Sequence, residues 1–302
     1  IAHSGDFSVS CLPRVQPCST MVVTRSGLAQ SRPSSWEADH GMSTDKTDEK
    51  VWDFDSYAWI DRYDDAVQAD QDMYARYDGV LDAVANIACT TPGALVLDIG
   101  AGTGNLSIRC AERGARVTGL DPSRRMLAQA QAKVAIRPET KAYDARFALA
   151  DDPFLHLPFD GNSFDAVVST YAFHHVAHEL QPKAVGEMMR VQRPGGVLAL
   201  GDVAFRDAGD EEAARERLDW LDDEFYLHVD DLTAAIATMG ARLETRQMTP
   251  TTWVLWVVKP EATHPSRSSA RFARRLSSAA GMAKHPRHTE RRGSCVDTAA
   301  VP

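Results

Sequence analysis

Residues 94–106 read Ala-Leu-Val-Leu-Asp-Ile-Gly-Ala-Gly-Thr-Gly-Asn-Leu: an apolar run, interrupted by Asp98, that opens into Gly100, Gly102 and Gly104. The run 94–99 predicts a short buried strand, and a helix is expected to open near Gly104. Glycines after a strand permit a tight turn and let a ligand approach the backbone closely. A glycine loop is weak evidence alone, but here it sits between a strand and a helix, where binding needs it. Two details separate it from a dinucleotide loop. The spacing is G-x-G-x-G, with Asn105 next in line, and Asp98 lies two residues before the first glycine. A carboxylate there would repel a pyrophosphate, whose binding relies on a positive helix N-terminus. It suits a ligand with a cationic end and no phosphate.

Outward from this loop the pattern alternates. Strands are expected at 116–120, 146–150, 164–170 and 197–203. Helices are expected at 122–134 and 183–191, with a Pro194-Gly195-Gly196 turn before the fifth strand. Two further helices, about 211–221 and 229–239, precede apolar runs at 242–247 and 252–258, whose short separation predicts an antiparallel hairpin at the sheet edge. Upstream, 70–88 reads as one amphipathic helix, with Met73, Tyr77, Val80, Leu81, Val84 and Ile87 at helical spacing, stopped by Pro92-Gly93. Apolar strands alternating with helices specify an α/β fold: a seven-stranded, mostly parallel sheet with helices on both faces and a C-terminal antiparallel hairpin. Asp121 ends the second strand, 23 residues after Asp98. An acid there can accept hydrogen bonds from ribose hydroxyls. Pro122-Ser123 follow, so a helix cap is an alternative role for it; its pairing with Asp98 favours the ribose.

Composition sets the boundaries. The 302 residues are 44% hydrophobic and 25% charged, ordinary for a globular chain. No stretch approaches the ~20 apolar residues of a membrane span. No basic segment followed by an apolar one marks a secretory signal, so a cytoplasmic protein is expected. The five cysteines have no CxxC spacing, which argues against a disulfide framework and a zinc site. The net charge of -9 divides into -1 over residues 1–48, -13 over 49–259 and +5 over 260–302. An acidic body argues against nucleic acid as the substrate. Residues 1–48, rich in Ser, Thr, Pro and Gly, are expected to be a disordered extension. The first residue is Ile1, so a fragment is expected, or a reading frame extended upstream of a start at Met21 or Met42. The folded domain is assigned to 49–260. The basic tail, 261–302, offers a helix stripe of only Phe272, Leu276 and Ala280, too little apolar area to anchor it, and is expected to be disordered.

Several of these stretches resemble one family. VLDIGAGTGNL at 96–106 resembles motif I of the class I S-adenosylmethionine (SAM)-dependent methyltransferases. GLDPS at 119–123 resembles their ribose motif, and ADD at 150–152 with LPF at 157–159 resembles their adenine motif. SFDAVV at 163–168 and RPGG at 193–196 are similar to their fourth- and fifth-strand signatures. More narrowly, VSTYAFHH at 168–175, YDGVLDA at 77–83 and TWVLW at 252–256 resemble the YrrT-like group of uncharacterised small methyltransferases. The likeness covers about residues 51–259. It implies a Rossmann-like fold with SAM as co-substrate and no metal. The cofactor-binding set it implies is Asp98, Gly100, Gly102, Gly104, Asp121, Asp151, Asp152 and Ser169. The adenine motif carries an extra residue here, which leaves Asp151 and Asp152 as alternatives; Asp151 is favoured because it directly follows the strand.

Methyl transfer from a sulfonium is an in-line displacement in which the protein supplies alignment, worth ~7–11 kcal/mol of barrier. A general base is needed only when the acceptor arrives protonated. Tyr171, His174 and His175 follow the fourth strand and are the candidate catalytic residues, the histidines because their pKa near ~6.5 suits proton acceptance. No Asn-Pro-Pro-Tyr-like run follows that strand, which argues against amino groups of DNA bases. With no separate substrate domain, a small-molecule acceptor is expected. Trp52, Phe54, Tyr57, Trp59 and Tyr63 could cover the site, with Tyr226 and Trp253 nearby, although core packing explains most of them equally well. A SAM-binding regulatory or scaffold protein without catalysis is the alternative function. A nicotinamide oxidoreductase is disfavoured by Asp98 and Asn105.

Overall fold

The computed structural model describes residues 22–24, 49–51, 55, 58–136, 144–221 and 224–261. The run that opened the sequence reading is β3 (Leu95–Ile99), the strand on which the sheet is centred. It pairs in parallel with β4 (Arg116–Asp121) on one side and β6 (Phe164–Thr170) on the other. Beyond β4 lies β5 (Ala145–Leu149), and beyond β6 lies β7 (Gln192–Phe205). The hairpin is β9 (Leu243–Gln247) and β10 (Thr252–Val258), with β10 inserted antiparallel between β7 and β9. The strand order is β5-β4-β3-β6-β7-β10-β9.

Burial on both faces follows from the alternation along β3. Leu97 and Ile99 join a core with Val185 and Met188 of α5 (Gln181–Val191) and Leu232 and Ile236 of α7 (Val229–Thr238). Val96 points the other way, into a core with Val80, Leu81 and Val84 of α2 (Tyr77–Ala88) and Leu106 of α3 (Asn105–Glu112). Each such side chain taken from water contributes roughly 1.5–3 kcal/mol. Asp98 is buried in the same strand, and a lone carboxylate there works against folding unless something is built around it. After β3 the chain runs outward through β4, α4 (Arg124–Ala135) and β5, then returns to the other side as β6. In open α/β sheets this reversal leaves a crevice beyond the carboxyl ends of the two central strands.

Several expectations are corrected. The helix expected over 70–88 is a single 3-10 turn, Asp72–Tyr74, followed by α2 from Tyr77. Arg76 breaks it in the left-handed region at φ 60, its N–H held by Asp70 Oδ1 at 2.6 Å. The periodicity misled because Met73 packs on a different cluster, with Phe205 and Tyr226. The helix expected over 211–221 is α6 (Ala208–Arg215), started by Asp207, which accepts the N–H of Asp210. Pro194-Gly195-Gly196 is no turn between elements but the bulged start of β7, where Gly195 N–H donates to Lys259 O at 2.9 Å. An unforeseen two-residue strand, β8 (Leu227–His228), pairs with the end of β7, too short to show a period.

Within 1–48, expected to be disordered, the β-branched triplet β1 (Val22–Thr24) pairs antiparallel with β2 (Glu49–Val51). The rest of that expectation, and the whole of the basic tail from residue 262, lie outside the described residues. Among the described residues, no helix is long and apolar enough to cross a membrane. Cys89 and Cys110 are both free thiols.

Candidate active site

A cavity occupies the expected crevice, and three groups of residues build its walls. The first is the glycine loop. Gly100 (φ +70) and Gly102 (φ +53) stand in the left-handed region that favours glycine. A Cβ on Gly100 would lie 2.4 Å from that of Ala172, whereas a Cβ on Gly102 would meet nothing within 4 Å and project into open space. The loop is tied to β4: Gly100 and Ala101 donate to Leu120 O at 2.8 and 2.9 Å, and Gly102 donates to Asp121 Oδ2 at 2.8 Å. The other carboxylate oxygen of Asp121 accepts Ser123 N–H at 2.8 Å. Both structural and ligand roles are therefore open to it, because each oxygen keeps a second lone pair. Burial raises its pKa to about 6 against those two hydrogen bonds.

Of the eight cofactor candidates, Gly100, Gly102, Asp121 and Asp151 line the cavity, and four do not. Asp98 lies one layer beneath, its Oδ2 accepting from Ser107 Oγ at 2.6 Å and its buried Oδ1 without a hydrogen-bond partner. Burial lifts its pKa to about 7. Gly104 is a packing glycine: a Cβ there would stand 2.9 Å from Ala130 Cβ and 3.1 Å from the Phe147 ring. Asp152 closes its own turn, accepting from Leu155 N–H at 3.2 Å and facing His156 Nδ1 at 3.1 Å, which leaves Asp151 on the cavity. Ser169 is buried within β6, and its neighbour Thr170 reaches the cavity instead, as strand alternation requires.

The second wall is the turn after β6. Asp202, buried in β7, gathers it: Oδ2 accepts the N–H groups of Ala172 and Phe173 at 3.2 and 2.9 Å, and Oδ1 faces His174 Nδ1 at 2.6 Å. His175 Nδ1 meets Glu224 Oε2 at 3.3 Å. A carboxylate can only accept, so each pairing places the proton on Nδ1 and leaves Nε2 as the basic nitrogen. Burial, reinforced by His174, lowers the pKa of His175 below 6.5 although Glu224 opposes it. His175 is thus neutral at pH 7. Tyr171 also lines the cavity, where it stacks on Tyr77 at 5.3 Å and burial pushes its hydroxyl well above the ordinary value of 10.0.

The third wall comes from the segment before α2. Trp59, Ile60, Tyr63 and Tyr74 line the cavity. Asp64, in α1 (Tyr63–Gln68), fastens that segment to the helices behind the glycine loop. It bonds Thr103 Oγ1 at 2.8 Å, Asn105 Nδ2 at 3.0 Å and Lys133 Nζ at 2.6 Å. Asp55 does the same at α4, accepting from Ser123 Oγ at 2.7 Å. Trp59 and Tyr63 therefore stand where a cover was expected, whereas Trp52, Phe54 and Tyr57 lie outside the described residues. Tyr226 and Trp253 pack in the core without lining the cavity, although the Tyr226 ring lies 6.2 Å from that of His174 in the cavity wall.

Asp202, Glu224 and Asp64 were missed. Asp202 carried a signal, an acid inside the apolar run 197–203, of the same kind as Asp98 in β3. Glu224 and Asp64 carried none, because each sits among other acids where solvated charge is the ordinary explanation.

Residues 96–196 match the model of a methyltransferase domain. An uncharacterised methyltransferase of Geobacillus kaustophilus is 33% identical over 214 residues, spanning 67% of this chain and 94% of that protein. One from Geobacillus thermodenitrificans is 33% identical with the same coverage. Among solved structures, magnesium protoporphyrin IX methyltransferase from Synechocystis, crystallised with bound S-adenosylhomocysteine (SAH), superimposes with a TM-score of 0.55 at 23% identity. The match covers 68% of this chain and 96% of that one.

Proposed function

This chain belongs to the methyltransferase family, and from that premise we propose that it transfers the methyl group of SAM to a small-molecule acceptor delivered to the His175 wall of the cavity. The observation that carries this is that one cavity is lined both by the glycine loop with Gly100, Gly102, Asp121 and Asp151 and by the histidine turn with His174, His175 and Glu224.

The residues fit the cofactor. The open space over Gly102 admits a ligand against bare backbone, and the orphaned Oδ1 of buried Asp98 has electrostatic use for a cationic group nearby. Gly100 and Gly102 would pass the amino-acid portion, Asp121 would accept from the ribose hydroxyls and Asp151 would face the adenine. When bound, SAM supplies an electrophilic methyl on a sulfonium. The chain's own work is to align it, exclude water with Trp59, Tyr63 and Tyr74, and accept a proton at His175 Nε2 when the acceptor brings one. Loss of signal in a thermal-shift assay would overturn the cofactor assignment. SAH at ~100 times its Kd should add ~2.7 kcal/mol of stability, and NAD nothing.

Asp121→Ala is expected to leave a folded protein that binds SAH about 5- to 150-fold more weakly, equivalent to the 1–3 kcal/mol of an unmet buried polar group. Calorimetry giving an unchanged Kd would remove Asp121 from the ribose.

Affinity for SAM should also depend on pH. The carboxyls of Asp98 and Asp121 are raised to about 7 and about 6 in the ligand-free protein. Their contribution to stability is therefore full below the unfolded value near 4 and is lost as pH rises through 6 to 7. A cationic ligand favours the ionised forms, so it opposes that loss and must displace protons at low pH. SAM is expected to bind about tenfold more tightly at pH 8 than at pH 6, with proton release on binding near pH 6.5. An equal Kd at both would contradict it. We further assign the folded domain to 49–260, and a chain trimmed to those residues is expected to keep full SAH affinity.

A further inference from the structure

Behind the His175 wall, His178, Glu211 and His228 converge from three elements: the turn before α5, the middle of α6, and the end of β8. One ring nitrogen from each histidine and one oxygen of Glu211 all lie within 4.8 Å of one another. The two imidazoles face each other with centroids 4.7 Å apart, and His228 Nε2 meets Glu211 Oε2 at 2.7 Å. We propose that these three residues form a binding site for a divalent transition-metal ion of the zinc type.

What surrounds the three side chains is what orients metal ligands elsewhere. A ligating imidazole hands its other ring nitrogen to a carboxylate or a carbonyl, which fixes the tautomer and the ring. His228 does so through Nδ1 to Asp231 Oδ2 at 3.3 Å, and His178 through Nε2 to Tyr226 O at 2.8 Å. Arg215 holds Glu211 Oε1 at 2.7 and 2.9 Å, which turns Oε2 toward His228. Glu211 and His228 are buried and His178 is exposed, so the cluster has a rigid floor and a solvent entrance. Two imidazoles and one carboxylate suit a borderline ion such as zinc better than calcium or magnesium, which prefer all-oxygen sets. Without an ion, a shared proton between His228 and Glu211 can hold the same groups together, so the ion would replace that proton. The sequence showed nothing of this, since residues 178, 211 and 228 have no motif spacing.

The site would act as a clasp on the methyl-transfer wall. Phe225 N–H donates to His174 O at 3.0 Å, and Glu224 faces His175, so the segment entering β8 is already fastened to the histidine turn. An ion joining His178 to His228 would lock the same two segments together.

The test is calorimetric titration of zinc into the chelator-stripped full chain, carrying no histidine tag, with His178→Ala, Glu211→Gln and, as control, His264→Ala. One equivalent is expected in the unaltered protein and in the control. At least a tenfold loss of affinity is expected in His178→Ala, whose exposed position leaves the fold intact, and in Glu211→Gln. Zinc should raise the melting temperature of the unaltered protein and not that of His178→Ala. No heat with excess zinc, or binding undiminished in both cluster variants, would overturn the proposal. The second outcome would place the ion elsewhere in the chain. None of these readouts depends on methyl transfer.

Discussion

Asp202→Ala is expected to lose about 3–5 kcal/mol of folding stability, because several buried donors would be left unmet at about 1–3 kcal/mol each, and to abolish methyl transfer. The side chain is 1% exposed and engages four groups at once. Its Oδ1 takes Val203 N–H at 2.7 Å and faces His174 Nδ1 at 2.6 Å, and its Oδ2 takes Ala172 and Phe173 N–H. Alanine would leave three backbone donors and an imidazole without their acceptor in a buried setting. The turn from 172 to 175 would then lose the contacts that aim both histidines at the cavity. Asp202→Asn separates the two effects. It keeps the shape and one acceptor oxygen, so stability should fall less, while the preference for Nδ1–H on His174 is lost. Urea denaturation of both variants, followed by SAH binding, gives the comparison. An alanine variant within about 0.5 kcal/mol of the parent, the range of surface substitutions, would show that Asp202 is no hub.

How much of this could be read in advance depends on what kind of signal each residue leaves. The strands themselves were legible because parallel strands buried on both faces read as near-continuous apolar runs, as β3 and β6 do. The glycine wall was legible because a left-handed turn and a close backbone approach need glycine, so Gly100 and Gly102 carry their geometry in their identity. Gly104 reads the same way but answers to Ala130 and Phe147, a tertiary contact that no local pattern contains. The break at Arg76 was hidden for a similar reason: Met73 stays in helical phase with α2 while packing elsewhere. The histidine wall was only half legible. His174 and His175 stand out by type, but their carboxylate partners are 28 and 49 residues away in the chain. One of those partners, Glu224, lies in a loop where acids are unremarkable.

The other large effect is on catalysis alone. His175→Ala is expected to lower kcat by about 10²–10⁴-fold, the usual contribution of a positioned general base, while SAM binds with nearly unchanged Kd. The argument starts from protonation. Burial and His174 hold the pKa of His175 below 6.5, so the ring is neutral at physiological pH and competent to take a proton. Glu224 accepts at Nδ1, which leaves Nε2 as the basic nitrogen. The wild-type rate should therefore hold from pH 8 downward and fall only below pH 6.5, as His175 becomes protonated, and the alanine variant should lose that acidic limb. Glu224→Gln tests the positioning role. It retains an acceptor for Nδ1–H but removes the charge that opposes the lowering, so the acidic limb should move to still lower pH with a smaller loss of kcat. Methyl transfer from labelled SAM into a fractionated metabolite extract supplies the assay before the acceptor is identified. A His175→Ala protein with undiminished kcat and an unaltered pH profile would mean that the acceptor arrives already deprotonated. The wall would then serve for orientation alone.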